Sequence, residues 1–160
     1  MVQRKHTVKK IIAIATLALA PTLSFAGGHA SLGGHGTARI IDSHVMEGKS
    51  GVLVRNISSD VWIWDNPPEG FDAATGAECT QYIAFGEGQE DPVGCTVICR
   101  VIDGTGDVLI NTGTFQPNNS VLLSTIAATG KWAAFVGAQW VGTTRHRIEG
   151  GSVYDFKPVN

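Results

Sequence analysis

Past residue 37 the chain reads as short apolar runs, rich in Val, Ile, Trp and Phe, broken by clusters of glycine, proline, asparagine and aspartate. The runs predict strands at 38–46, 51–55, 61–64, 79–85, 95–102, 108–115, 121–124, 131–142 and 152–156. Between them stand Asn66-Pro67-Pro68-Glu69-Gly70, Gly86-Glu87-Gly88, Asp103-Gly104-Thr105-Gly106-Asp107 and Gln116-Pro117-Asn118-Asn119. These residues supply fixed or positive φ angles and local side-chain hydrogen bonds, the chemistry of tight turns. Outside the first 26 residues no window carries a helical apolar stripe, although 124–131 has room for a turn or two. Many short strands with regular turns predict an all-β domain: an antiparallel β-barrel of about eight strands, with a β-sandwich as the alternative.

The run 131–142 sharpens the expectation. As a strand it places Trp132, Ala134, Val136, Ala138 and Trp140 on one face and Lys131, Phe135, Gly137 and Gln139 on the other. Apolar character on both faces suits a wall with core on one side and a cavity or subunit contact on the other. Gly137 in mid-strand suits a barrel bend.

The first 26 residues break the pattern. Arg4, Lys5, Lys9 and Lys10 precede an apolar run at 11–20, then Pro21 and the small-x-small exit Ser24-Phe25-Ala26. This is the build of a signal peptide, with cleavage expected after Ala26 and a periplasmic or secreted destination. A ten-residue helix spans about 15 Å, half of a bilayer core, so stable membrane insertion is not expected. Residues 27–37 are Gly- and His-rich and read as a flexible arm, leaving 38–160 as a single domain.

Charge and cysteines then narrow the function classes. The chain has 12 Lys and Arg against 14 Asp and Glu; with four cations in the leader, the exported part carries eight against 14, a net of −6. Such a domain repels phosphate backbones, and no basic stripe with interleaved aromatics appears, so nucleic acid is not an expected partner. Cys79, Cys95 and Cys99 all lie in the exported part, where two of three are expected to pair. On one strand Cys95 and Cys99 stand about 13 Å apart on the same face, too far to join each other. Cys79–Cys99 is the preferred disulfide, with Cys79–Cys95 the alternative.

Candidate chemistry is sparse. Cleavage after Ala26 would expose Gly27-Gly28-His29, whose amine, two amides and imidazole form a square plane suited to Cu(II) or Ni(II). Copper bound there is expected to be adventitious, and no other cofactor is expected; His35 and His44 are further candidate ligands. The Asp103–Asp107 stretch lacks the length and closing Glu of a calcium loop and reads as a hairpin turn. Glu87, Glu90 and Asp91 read as a solvated loop. No Gly-x-Ser-x-Gly elbow is present, and His44, His146, Asp42 and Glu149 are the acid–base candidates. Tyr82, Trp132, Phe135 and Trp140 are the candidates for lining a cavity, alongside Trp62 and Trp64 as pocket or core.

From Gly94 onward, Cys99-x-x-x-Asp103-x-x-Gly106-Asp107, the strand end Gly113-Thr114-Phe115, and Thr129-Gly130-Lys131-Trp132 leading to Val136-Gly137 resemble secreted bacterial members of the allene oxide cyclase barrel-like superfamily. Ala128 stands where those relatives have the first glycine of the "Gly-Lys" region, and Val97-Ile98 replaces their Gly-aromatic pair. The resemblance covers about the last 65 residues. It implies an eight-stranded barrel with an apolar interior, often trimeric in plant relatives, and a flexible apolar or phenolic molecule held so that one ring closure is favoured, without a cofactor. The two-sided apolar run at 131–142 has more wall than one core needs, so a homo-oligomer (trimer or dimer) is expected. No catalytic residue carries over.

Overall fold

The computed structural model describes residues 32–116, 118 and 120–159. Eight antiparallel strands close into a barrel in which each strand pairs with the next in sequence, and β8 returns to β1. They are β1 (Gly34–Gly48), β2 (Gly51–Trp64), β3 (Ala74–Gly86), β4 (Pro92–Ile102), β5 (Val108–Phe115), β6 (Ser120–Ala128), β7 (Gln139–Ile148) and β8 (Gly151–Pro158). A 3-10 helix, Gly130–Phe135, links β6 to β7. The expected all-β barrel is the fold. Closure removes free sheet edges wherever neighbouring strands are of equal length.

Several expected boundaries move. The runs 51–55 and 61–64 are one strand, because the polar stretch between them alternates: Ser58, Asp60, Trp62 and Trp64 are buried while Ser59, Val61 and Ile63 are exposed. The arm is shorter than 27–37, since Gly34, His35, Gly36 and Thr37 pair with both β2 and β8. Gly36 is required there, as a Cβ would lie 2.7 Å from the Tyr154 ring that crosses it. The run 131–142 is not one strand. Its first part winds into the 3-10 helix and only Gln139 onward is β7, so Trp132 and Phe135 reach the interior from a helix rather than from opposite faces of a wall. Helical winding also falls at 130–135 rather than at 124–131, where β6 continues to Ala128.

Strand lengths divide the barrel. β1, β2 and β3 have 15, 14 and 13 residues, whereas β5 to β8 have eight to ten. The long strands therefore form a wall that rises past the short ones at the end holding the β1–β2 and β3–β4 turns. The opposite end is filled. Trp64 lies with ring centroids 5.8 Å from Trp62, 5.3 Å from Trp132, 6.4 Å from Trp140 and 5.0 Å from Phe156. Tilted and edge-on rings at these spacings add to the apolar burial itself.

Candidate functional site

The sealed end is held by the turn after β4. Asp103, its side chain fully buried, accepts hydrogen bonds at Oδ1 from Thr105 N and Oγ1 and from Asp107 N. At Oδ2 it accepts from Trp132 Nε1 and Lys131 Nζ, each at 2.9 Å. Burial alone would raise this carboxyl, but the donors from Thr105, Lys131 and Trp132 outweigh it and hold the group well below the usual carboxylate range. Lys131 is raised in turn, first by its bond to Asp103. Gly130, at φ +49°, permits the helix to begin beside Asp107, whose carboxylate would lie 2.0 Å from an added Cβ. The Asp103–Asp107 stretch is thus a turn, as read, with Asp103 as its hydrogen-bonding centre.

Between this plug and the open end, the inward rows of the sheet turn polar. Asp60 stands on the row of Ala77, Val101 and Leu109, and Ser58 on the row of Cys79, Cys99, Asn111 and Thr125. Cys79 and Cys99 face each other across β3 and β4 and form the expected disulfide; Cys95 is free and half-buried. Tyr154 reaches across from β8 and donates its hydroxyl to Asp60 Oδ2 at 2.6 Å. Cys79 Sγ, already oxidised and without a proton to give, lies 3.7 Å from the same oxygen. Burial pushes the Asp60 carboxyl up, against the opposing pull of Tyr154, Ser58 and the Trp62 indole. Burial and the adjacent Asp60 charge push the Tyr154 phenol up as well.

Three polar atoms in this layer make no hydrogen bond among the described residues: Asp60 Oδ1, Trp62 Nε1 and Asn111 Nδ2. The Trp62 indole favours the charged form of Asp60 without making a hydrogen bond that satisfies it. Trp64, Trp132 and Trp140 differ, donating to Thr75 Oγ1, Asp103 Oδ2 and the Leu32 carbonyl. Buried polar groups in folded proteins are nearly always paired, so these three atoms are open to a water or to a ligand atom.

Above Asp60 the inward side chains are half-buried: Asn56, Val54 and Val52 of β2, Gln81, Ile83 and Phe85 of β3, and Cys95 of β4. Their register partners on β1 include Ser43 and the exposed Val45. An open depression of about 490 Å³ lies over the tips of these strands, lined by Glu47, Val52, Phe85 and Val93 among others. A larger one, about 710 Å³, lies near His35, Asp65 and Lys157, where no buried titratable group faces it.

The expected cavity residues separate. Trp132 and Trp140 are buried in the plug and Phe135 packs on it, 5.6 Å from Trp132. They floor the interior instead of lining an empty wall. Tyr82 shares its face of β3 with Glu78 and Thr80 and is exposed outside the barrel, because side chains alternate and Cys79 points in. The acid–base candidates His44, His146, Asp42 and Glu149 are all exposed, with Asp42 paired to Arg55. His35 and His44 stand near opposite ends of β1, about 30 Å apart along the strand, and cannot share a metal. Gly27, Gly28 and His29 lie outside the described residues, among which no group of three or more His, Cys, Asp or Glu side chains is placed to hold a metal ion.

Asp60 and Tyr154 escaped the sequence reading. Asp60 sits in a polar stretch between two apolar runs, and Tyr154 is 94 residues away. The legible signal was the alternation Ser58-x-Asp60-x-Trp62-x-Trp64, which puts a carboxylate on the tryptophan face. Comparison of the chain with family models, curated proteins and solved structures finds no match.

Proposed function

We propose that this barrel admits a small apolar or phenolic molecule through its open end and presents it to the Asp60–Tyr154 pair. The observation that carries this reading is the buried carboxyl with one oxygen satisfied by Tyr154 and the other left unpaired. Burial raises this carboxyl above the ordinary carboxylate range, the direction in which an acid–base group is tuned. Oδ1 is the atom that would, when protonated, give its proton to a carbonyl oxygen or, when ionised, take the proton of a phenol, while Tyr154 holds Oδ2. The apolar residues Val52, Val54, Ile83 and Phe85 would hold the carbon skeleton, and the aromatic plug would stop it.

The eight-stranded barrel is what the resemblance to the allene oxide cyclase barrel-like superfamily led one to expect, and a cofactor-free cyclase, isomerase or coupling guide fits this arrangement. A second reading, a non-catalytic binding or structural envelope protein, draws support from the aromatic filling of one end. Native mass spectrometry of the protein from periplasmic extract of its host tests the occupied cavity that both ligand-holding readings need and a structural role does not. A retained organic molecule on the order of a few hundred daltons, lost or weakened in Asp60→Asn, is the expected result. A protein that carries nothing, or only copper, overturns the cavity reading.

A further inference from the structure

The unequal strand lengths leave the upper edge of β1 uncovered among the described residues. β8 pairs with β1 only from Gly34 to Arg39, and Ile40 N still reaches the Gly150 carbonyl. From Ile41 to Gly48, β1 has β2 on one side and no strand on the other among the described residues. Every residue of this segment is exposed, including Ile41 at 56% and Val45 at 54%. Natural edge strands are usually guarded by lysine, proline or a bulge. This segment has no lysine or proline, and its bulge lies at its lower end, between Ile40 and Asp42.

The sequence of the edge is self-complementary about Ser43. In an antiparallel pairing of two copies with Ser43 opposite the partner's Ser43, Asp42 stands opposite the partner's His44, and Ile41 opposite the partner's Val45. Ile40 and Arg39 are already bound to β8, so the pairing spans Ile41 to Val45 of each copy. Acid meets base in the Asp42–His44 pairs and apolar meets apolar in the Ile41–Val45 pairs on either side of Ser43. A shift by one pair sets His44 against His44 and Asp42 against Met46, which loses the match. Opposed pairs of this kind are the unit of stabilisation between strands.

We propose that a second copy of this chain docks on the free edge of β1, pairing antiparallel about Ser43 to form a two-fold dimer that continues the sheet from one barrel into the next. Main-chain hydrogen bonds supply affinity and the side-chain pairs supply register. The dimer leaves the Asp60 layer untouched, and its test is independent of any ligand.

The test uses the exported chain with Cys95→Ser, so that an introduced thiol is the sole free one. Sedimentation velocity is expected to show a concentration-dependent dimer. Ser43→Cys is expected to cross-link two chains under mild oxidation, and His44→Cys, opposite Asp42 and not itself, is not. Val45→Lys, an exposed change that mimics a natural edge guard, is expected to weaken dimerisation about tenfold with an unchanged Tm. A monomer at all concentrations overturns the proposal. So does a dimer that Ser43→Cys fails to link or that Val45→Lys leaves intact, since its interface must lie elsewhere.

Discussion

The two ends of the barrel are built from the same eight strands and differ in nearly every physical respect. At one end Trp62, Trp64, Trp132, Trp140 and Phe156 interlock, and Asp103 ties the turn after β4 to the helix that carries Trp132. At the other, Val52, Val54, Ile83 and Phe85 face inward yet stay half-buried, because the strands that would cover them are too short. Buried packing concentrates at the first end and exposed apolar surface at the second. The half-buried rim residues contribute little to folding and are held in place by the core at the other end.

That division is testable by substitution. Trp64→Ala, which removes the hub of the plug, is expected to cost about 4 kcal/mol in urea denaturation followed by circular dichroism. A loss below about 1 kcal/mol would mean that the sealed end does not carry the fold. Asp103→Asn leaves the Trp132 indole and the turn amides without a charged acceptor and is expected to cost about 2 kcal/mol at neutral pH. Because the folded state holds Asp103 below its ordinary value, its contribution is present above the usual carboxylate range and lost as pH falls. The variant should therefore lose less stability than the parent on acidification.

Effects no larger than that of Asp103→Asn are expected in the middle layer. Gly36→Ala pushes a Cβ into the Tyr154 ring and is expected to cost about 2 kcal/mol while moving the phenol off Asp60. Near-ultraviolet circular dichroism together with the Asp60 titration would show whether that hydrogen bond is lost. Asp60 has the opposite sign to Asp103. Its folded pKa is raised, so stability falls as pH climbs from the ordinary carboxylate value through the folded one. Asp60→Asn is expected to flatten that fall and to equal or exceed the parent's stability at neutral pH. A steeper fall would show the carboxylate to be a structural ion. Smallest of all, Ile83→Ser at the open end is expected to change stability by under about 1 kcal/mol while abolishing retention of any co-purifying apolar molecule. A large stability loss there would erase the contrast between the ends.

Local patterns carried much of this into view. Alternation and turn chemistry predicted the all-β barrel, the hairpin at Asp103–Asp107 and the preferred Cys79–Cys99 bridge, since each depends on neighbours along the strand or on a few residues of turn. The run 131–142 misled for an instructive reason. Its apolar positions fit a strand, but Gly130 with its positive φ and the Asp107 carboxylate start a helix that only the assembled turn can stabilise. Tyr82 misled because parity, once set by Cys79, turns it outward.

What the amino-acid sequence determined by itself was the alternation of faces and the positions where the chain turns, because those depend on side-chain period and backbone freedom. Tertiary structure alone decided which faces meet. Closure brought Tyr154 to Asp60, put a disulfide against the same carboxylate and filled one end with tryptophan. Strand register decided which residues rise past the rim and left an edge of β1 without a neighbour among the described residues. Such contacts join residues tens of positions apart, and burial acts on a polar group only after the barrel has closed around it.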